Sequence, residues 1–231
     1  MSETLLKLIL SRLDFVETLH VVVGSGDHRT SFVVHKDIIS RRSPFFKAAS
    51  SARWATDKHK TIELPDDEPT VFSICLQAMY QNTVAAAKVE DPPVHQHTFS
   101  PLAEAYILAD KLGDLTTCNL IVDEIIRYGD EHNTLPNEST VKIVWEKSIE
   151  NSPLRRLLID CFVHDAGTTA MADIDEYPHG FVCSMLKEYK RLKEEPEAEV
   201  KAVREVYFRH IDKMEKCHYH QHNEHHPKCG Q

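Results

Sequence analysis

Apolar positions change period several times along this chain, and each change predicts an element. Leu5, Leu8, Ile9 and Leu13 recur at near-helical spacing and predict a short amphipathic helix over Thr4 to Leu13. Leu19 to Val23 is mostly β-branched and apolar, and Ser31 to Val34 repeats that character after Gly24-Ser25-Gly26-Asp27. Glycine tolerates positive φ, so the two runs predict a hairpin. Ile38-Ile39-Ser40 then reads as a short apolar helical turn. A second helix opens at Ser43-Pro44, with serine as N-cap and proline at the first helical position. Phe45 and Phe46 are both expected to bury against the sheet.

Thr61 to Leu64 predicts another short strand. The acidic Pro65-to-Pro69 segment suits a helix N-terminus, and Phe72, Cys75, Leu76 and Met79 form one buried stripe behind it. Thr83 to Phe99 has no apolar period and reads as a loop. Ser100-Pro101 starts the next helix, with Leu102, Ala105, Tyr106, Ala109 and Leu112 on one face. Gly113 ends it. Asp114 caps a further helix carrying Leu115, Cys118, Val122, Ile125 and Ile126. Helical periodicity continues beyond Gly129. Leu154, Leu157, Leu158, Cys161 and Phe162 make a stripe behind Ser152-Pro153. Phe181, Met185, Leu186, Tyr189 and Leu192 make another, and Val200, Val203, Tyr207, Ile211 and Met214 the last. The fold class is therefore α+β: a mixed front half followed by a helical back half.

Composition narrows the function. With 42% hydrophobic residues a sizeable core can form, and with only 7 glycines a turn-rich all-β fold is disfavoured. No apolar run reaches the length of a membrane span, and Met1 to Lys7 lacks the pattern of a secretory leader. Without a leader, Cys75, Cys118, Cys161 and Cys183 read as reduced core cysteines of an intracellular protein, cytoplasmic or nuclear. The net charge of −9 disfavours a nucleic-acid binder, which needs a basic face. No G-x-S-x-G elbow occurs, and the glycines near residue 24 lack dinucleotide-loop spacing, so no catalytic residue is assigned.

Several of these pieces together resemble the BTB/POZ family. They are the strand ending in Val34-His35-Lys36, then Ile38-Ile39-Ser40, Ser43-Pro44-Phe45-Phe46, Trp54, Thr61 to Pro69, and Phe72 to Tyr80. Leu102 to Leu112 and the following helix look like the pair that closes such a domain. The resemblance implies a small mixed sheet with a helical cluster over residues 13–128, in which Phe32, His35, Phe45, Phe46 and Phe72 serve the fold. A helical extension (129–214), most like the fungal branch, and a short tail (215–231) would follow. It implies a non-enzymatic adaptor that binds itself, as a homodimer, or another protein. A cullin scaffold is one partner type the family offers. Two departures stand out. Thr18 lies near a position where many members carry an acidic residue linked to a charged pocket and a domain-swapped dimer. Thr56, in Trp54-Ala55-Thr56-Asp57, stands where cullin-recruiting members often have glutamate.

The tail from Cys217 to Cys229 holds five histidines between two cysteines. Thiolates and imidazoles are the preferred donors of Zn²⁺. The set favoured by spacing is Cys217, His220, His222 and Cys229, in the pattern C-x₂-H-x-H-x₆-C, with His218, His225 and His226 as substitutes. Two thiolates and two neutral imidazoles would balance the charge and leave no position for water, so the expected zinc is structural. The alternative function is a zinc-containing transcriptional or chromatin regulator. A metallohydrolase would instead need an open ligand position and a general base.

Overall fold

The computed structural model describes residues 17–51, 61–84, 99–164, 174–194 and 217–223. The expected helix over Thr4 to Leu13, Trp54 and Thr56, most of the loop before Phe99, and the Val200-to-Met214 stripe lie outside them. The chain divides into two compact units, one of Met1–Val84 with Leu108–Thr117 and the other of Ala85–Ile107 with Cys118–Gln231.

In the first unit the hairpin forms as the alternation predicts. Strand β1 is Thr18–Val23 and strand β2 is Thr30–His35, antiparallel, with Val21 opposite Phe32. Strand β3, Thr61–Leu64, runs parallel to β1, so the sheet is mixed, in the order β2-β1-β3. Side chains alternate across a strand. Val21, Val23, Val34, Ile62 and Leu64 accordingly occupy the core, while Val33 is 62% exposed. The turn needs glycine at Gly24: φ is +85°, and a Cβ there would lie 2.8 Å from the His28 carbonyl oxygen.

Helix α1, Lys36–Arg42, is followed at once by α2, Pro44–Ala49. Ser43 makes the corner. Its Oγ accepts from the Phe46 N–H at 3.2 Å and donates to the Leu112 carbonyl at 2.6 Å. The expectation that both phenylalanines bury is corrected. Phe46 is fully buried and Phe45 is 38% exposed. Neighbouring residues on a helix point about 100° apart, so one short helix cannot turn both to the same core. Phe32 is half-buried and meets Phe72 edge to face at 5.0 Å. Helix α3, Pro69–Gln81, buries Val71, Phe72, Cys75, Ala78 and Met79. Leu76, expected in that stripe, is only half-buried, since Ala78 and Val71 flank the buried face instead.

Helix α4, Phe99–Leu112, begins before the predicted Ser-Pro start. Phe99 is fully buried and packs edge to face on Tyr128 at 5.5 Å. Ser100 does not cap this helix; its Oγ lies 2.9 Å from the Thr140 hydroxyl. Tertiary packing therefore sets this boundary. Gly113 has φ +74°, and Asp114 caps α5, Leu115–His132, by accepting from the Thr117 N–H at 3.1 Å. Within α5, Cys118, Ile121, Val122 and Ile125 are buried, and Ile126 is half-buried.

The second unit continues with α6, Glu138–Lys147, capped by Asn137, and α7, Pro153–His164, capped by Ser152. The five residues of the α7 stripe are all buried. Helix α8, His179–Glu194, buries two of the five residues of its predicted stripe. Phe181 packs on Trp145, Phe162 and Tyr177, and Met185 is buried beside it. Leu186 and Tyr189 are 62% and 50% exposed, so those positions are corrected from core to surface. Gly180 allows the close approach of Trp145, whose Nε1 would lie 3.2 Å from a Cβ.

Candidate interaction domain and C-terminal tail

The strand–helix junction of the first unit is tied by side chains. The His35 N–H donates to the Tyr80 hydroxyl at 2.8 Å, and its Nδ1 lies 3.0 Å from the same oxygen. One hydroxyl thus holds the end of β2 to α3, as expected of a structural histidine. Lys36, next in sequence, pairs with Glu17.

Arg42 at the end of α1 gathers four acceptors. It reaches Asp114 Oδ1 at 3.2 Å, the Ala78 carbonyl at 3.2 Å, Asn82 Oδ1 at 3.3 Å and Thr117 Oγ1 at 3.0 Å. A planar guanidinium suits such divergent acceptors. The sequence pattern did not single out Arg42; a lone basic residue at a helix end reads as solvated. Cys75, buried near Asp114 and Asp67, has its thiol pushed up by burial first and by those carboxylates second. It is an inert core thiol. On the surface of this unit, Val33, Phe45 and Tyr80 are exposed apolar side chains.

Cys118 and Cys161 are buried, matching the core reading. Cys183 is only half-buried, with its Sγ 3.5 Å from His179 Nε2, so it is corrected from the core to a groove wall. That groove, in the second unit, has a volume of about 740 Å³ and includes Trp145, Arg155, Asp160, Cys183, Lys187 and Arg191 in its lining. Its charges are largely spent on neighbours. Arg155 stacks 5.0 Å from the Trp145 ring and donates to the Trp145 and Ser148 carbonyls, both at 2.6 Å. Arg191 pairs with Glu188. A smaller groove of about 240 Å³ is apolar, lined by Val163, Ile174, Val182, Met185, Leu186 and Tyr189. Neither groove was foreseen from sequence.

The tail is ordered on α4, α5 and α7 through polar contacts. The Tyr219 hydroxyl donates to Asp160 Oδ2 at 2.7 Å. The Gln221 N–H donates to Asn119 Oδ1 at 2.8 Å, and the Asn119 amide donates back to the Gln221 carbonyl at 3.0 Å. The Gln221 amide donates to the Tyr106 hydroxyl at 2.8 Å. His220 Nε2 lies 2.9 Å from Asp123 Oδ1. Of the expected zinc donors, Cys217, His220 and His222 are described, and Cys229 lies outside the described residues. Among the described residues, no group of three or more His, Cys, Asp or Glu side chains is placed to hold a metal ion. The one buried side-chain nitrogen or oxygen without a hydrogen-bond partner among them is His222 Nε2. The anchors Asn119, Asp123 and Asp160 were missed, although polar residues beside apolar helical stripes are the signal for them.

Among the described residues no helix is long and apolar enough to cross a membrane. No curated protein matches the chain. A family model for the BTB/POZ domain matches residues 13–98. That match spans the mixed sheet β2-β1-β3 and helices α1, α2 and α3, and this part of the chain is a BTB/POZ domain.

Proposed function

We propose that the protein is a non-enzymatic adaptor of the cytoplasm or nucleus whose BTB/POZ domain binds a second copy of itself. The observation that carries this reading is the family match over residues 13–98, since BTB domains mediate protein interaction and dimerisation. Exposed Val33, Phe45 and Tyr80 on the same unit supply apolar surface for such a contact. Buried cysteines outside any disulfide at Cys75, Cys118 and Cys161 fit a reducing compartment. The paired charges of the larger groove fit a surface for recognition better than a reacting centre, which needs groups poised for proton transfer. A cullin scaffold is the secondary partner, because Thr56 offers no carboxylate where recruiting members often have one.

Light scattering after size exclusion tests this across a concentration series. The intact chain should run as a dimer, and Val33→Asp should shift it to a monomer without lowering its melting temperature. A chain that stays monomeric at every concentration, and that binds no purified cullin N-terminal region, overturns the reading.

A further inference from the structure

The tail segment Cys217 to Asn223 lies on α4, α5 and α7 as a bound peptide lies on a receptor. It opens with a turn, in which the His220 N–H donates to the Cys217 carbonyl at 3.2 Å. Its main chain is then held by side chains of the helices. Asn119 clamps Gln221 twice, its Oδ1 accepting from the N–H and its amide donating to the carbonyl. Arg156 donates to the His218 carbonyl at 3.3 Å. Such bonds use groups that every residue carries, so they seat a segment, while side-chain pockets choose which segment.

Two side chains are read in this way. Tyr219 is 3% exposed and places its hydroxyl on the buried Asp160 carboxyl. A sunken aromatic ring with its polar tip bonded is the kind of anchor that dominates recognition surfaces. The Gln221 amide donates to the Tyr106 hydroxyl. Between them, His220 faces the Asp123 carboxylate, which favours a basic residue there. All of these groups belong to the second unit. Ordering a short segment costs conformational entropy, and attachment to the same chain offsets that cost through a high effective concentration. A free segment with the same residues makes the same bonds and competes for the groove.

We propose that the groove formed by α4, α5 and α7 is a receptor for a turn followed by Tyr-x-Gln in a partner protein, with this chain's own tail as its resident competitor. The partner displaces the tail by making the same contacts. A phosphorylated tyrosine is refused, because its phosphate would meet the Asp160 carboxyl. The groove lies outside residues 13–98, and the inference does not rest on self-association.

A fluorescent peptide of Cys217 to Asn223 carrying Cys217→Ser, titrated against the full chain and read by anisotropy, tests it. In the parent chain the tail fills the groove, so binding should be weak. Tyr219→Ala in the full chain loosens the tail, and the peptide should then bind at least ~10-fold more tightly. Tyr219→Phe is a milder opening and should shift affinity in the same direction, which keeps the test intact if the alanine variant does not fold. Asn119→Ala added to either opened chain should abolish the gain. The same peptide with Tyr219→Phe should bind about 10-fold or more weakly, for want of the Asp160 bond, and its tyrosine-phosphorylated form should not bind. Far-UV circular dichroism and thermal melts establish that each variant is folded. Equal binding to the parent and opened chains overturns the proposal. So does the absence of binding to a folded opened chain, which would make the tail a fixed part of the fold. Binding that survives Asn119→Ala overturns it too, since the peptide would then sit elsewhere.

Discussion

The Tyr219 hydroxyl donates to Asp160 Oδ2 across 2.7 Å, and both residues are buried. This bond fastens the tail to α7. Tyr219→Phe removes the donor from a carboxylate with little access to water. A hydrogen bond to a charged group is worth about 1.5–3 kcal/mol, and urea unfolding should show a loss of that size. A change near zero would mean the tail is not held there.

The same pair predicts a pH dependence. Burial, then Glu188, raises the Asp160 carboxyl above the ordinary carboxylate range, against the opposing Tyr219 hydrogen bond. The folded state therefore keeps this proton to higher pH than the unfolded chain. Its contribution is full below the unfolded value, about 3.9, and is lost as pH rises through the raised folded value. Asp160→Asn should flatten the stability profile in that window and retain an acceptor for Tyr219. Burial and the Asp160 charge likewise push the Tyr219 phenol up. Its contribution is full below about pH 10 and is lost above, so Tyr219 should ionise above the ordinary phenol range in an ultraviolet titration. If Asp160→Asn leaves the acid limb unchanged, the sign argument fails.

Arg42 closes a junction that no other described cation reaches at Asp114, a residue fully buried. Arg42→Ala leaves that carboxylate without its cation. Breaking a buried pair costs about 3–5 kcal/mol, and the lower end applies because Thr117 still bonds Asp114. Arg42→Lys should recover only part, since one ammonium cannot span the four acceptors. Full rescue by lysine would show that charge alone matters there.

Gly113 sits at φ +74° beside Pro44, whose Cδ would lie 3.1 Å from a Cβ. Gly113→Ala should cost about 1–2 kcal/mol from the left-handed conformation, before any clash. A thermal melt no lower than the parent's would show that the α4–α5 corner relaxes freely.

Phe45 and Phe46 give a matched comparison. Phe46→Ala empties a fully buried site and should cost about 3–5 kcal/mol. Phe45→Ala removes a side chain already 38% exposed and should cost about 1 kcal/mol or less. Equal losses in denaturant unfolding would mean that both rings carry the core.

Periodicity and capping residues alone determined the hairpin, β3, and the helices behind Ser43, Asp114 and Ser152, because local backbone preference and a single apolar face decide those elements. Which of two adjacent phenylalanines goes inside, where α4 begins, and why Leu186 and Tyr189 stay exposed were decided by tertiary packing. A helix buries only the face its neighbours cover, and the chain order does not state which neighbours those are. The partners of Arg42 and of the tail, Asp114 and Asn119 to Asp160, are far away in sequence, so only folding brings their complementary charges and hydrogen-bonding groups within reach.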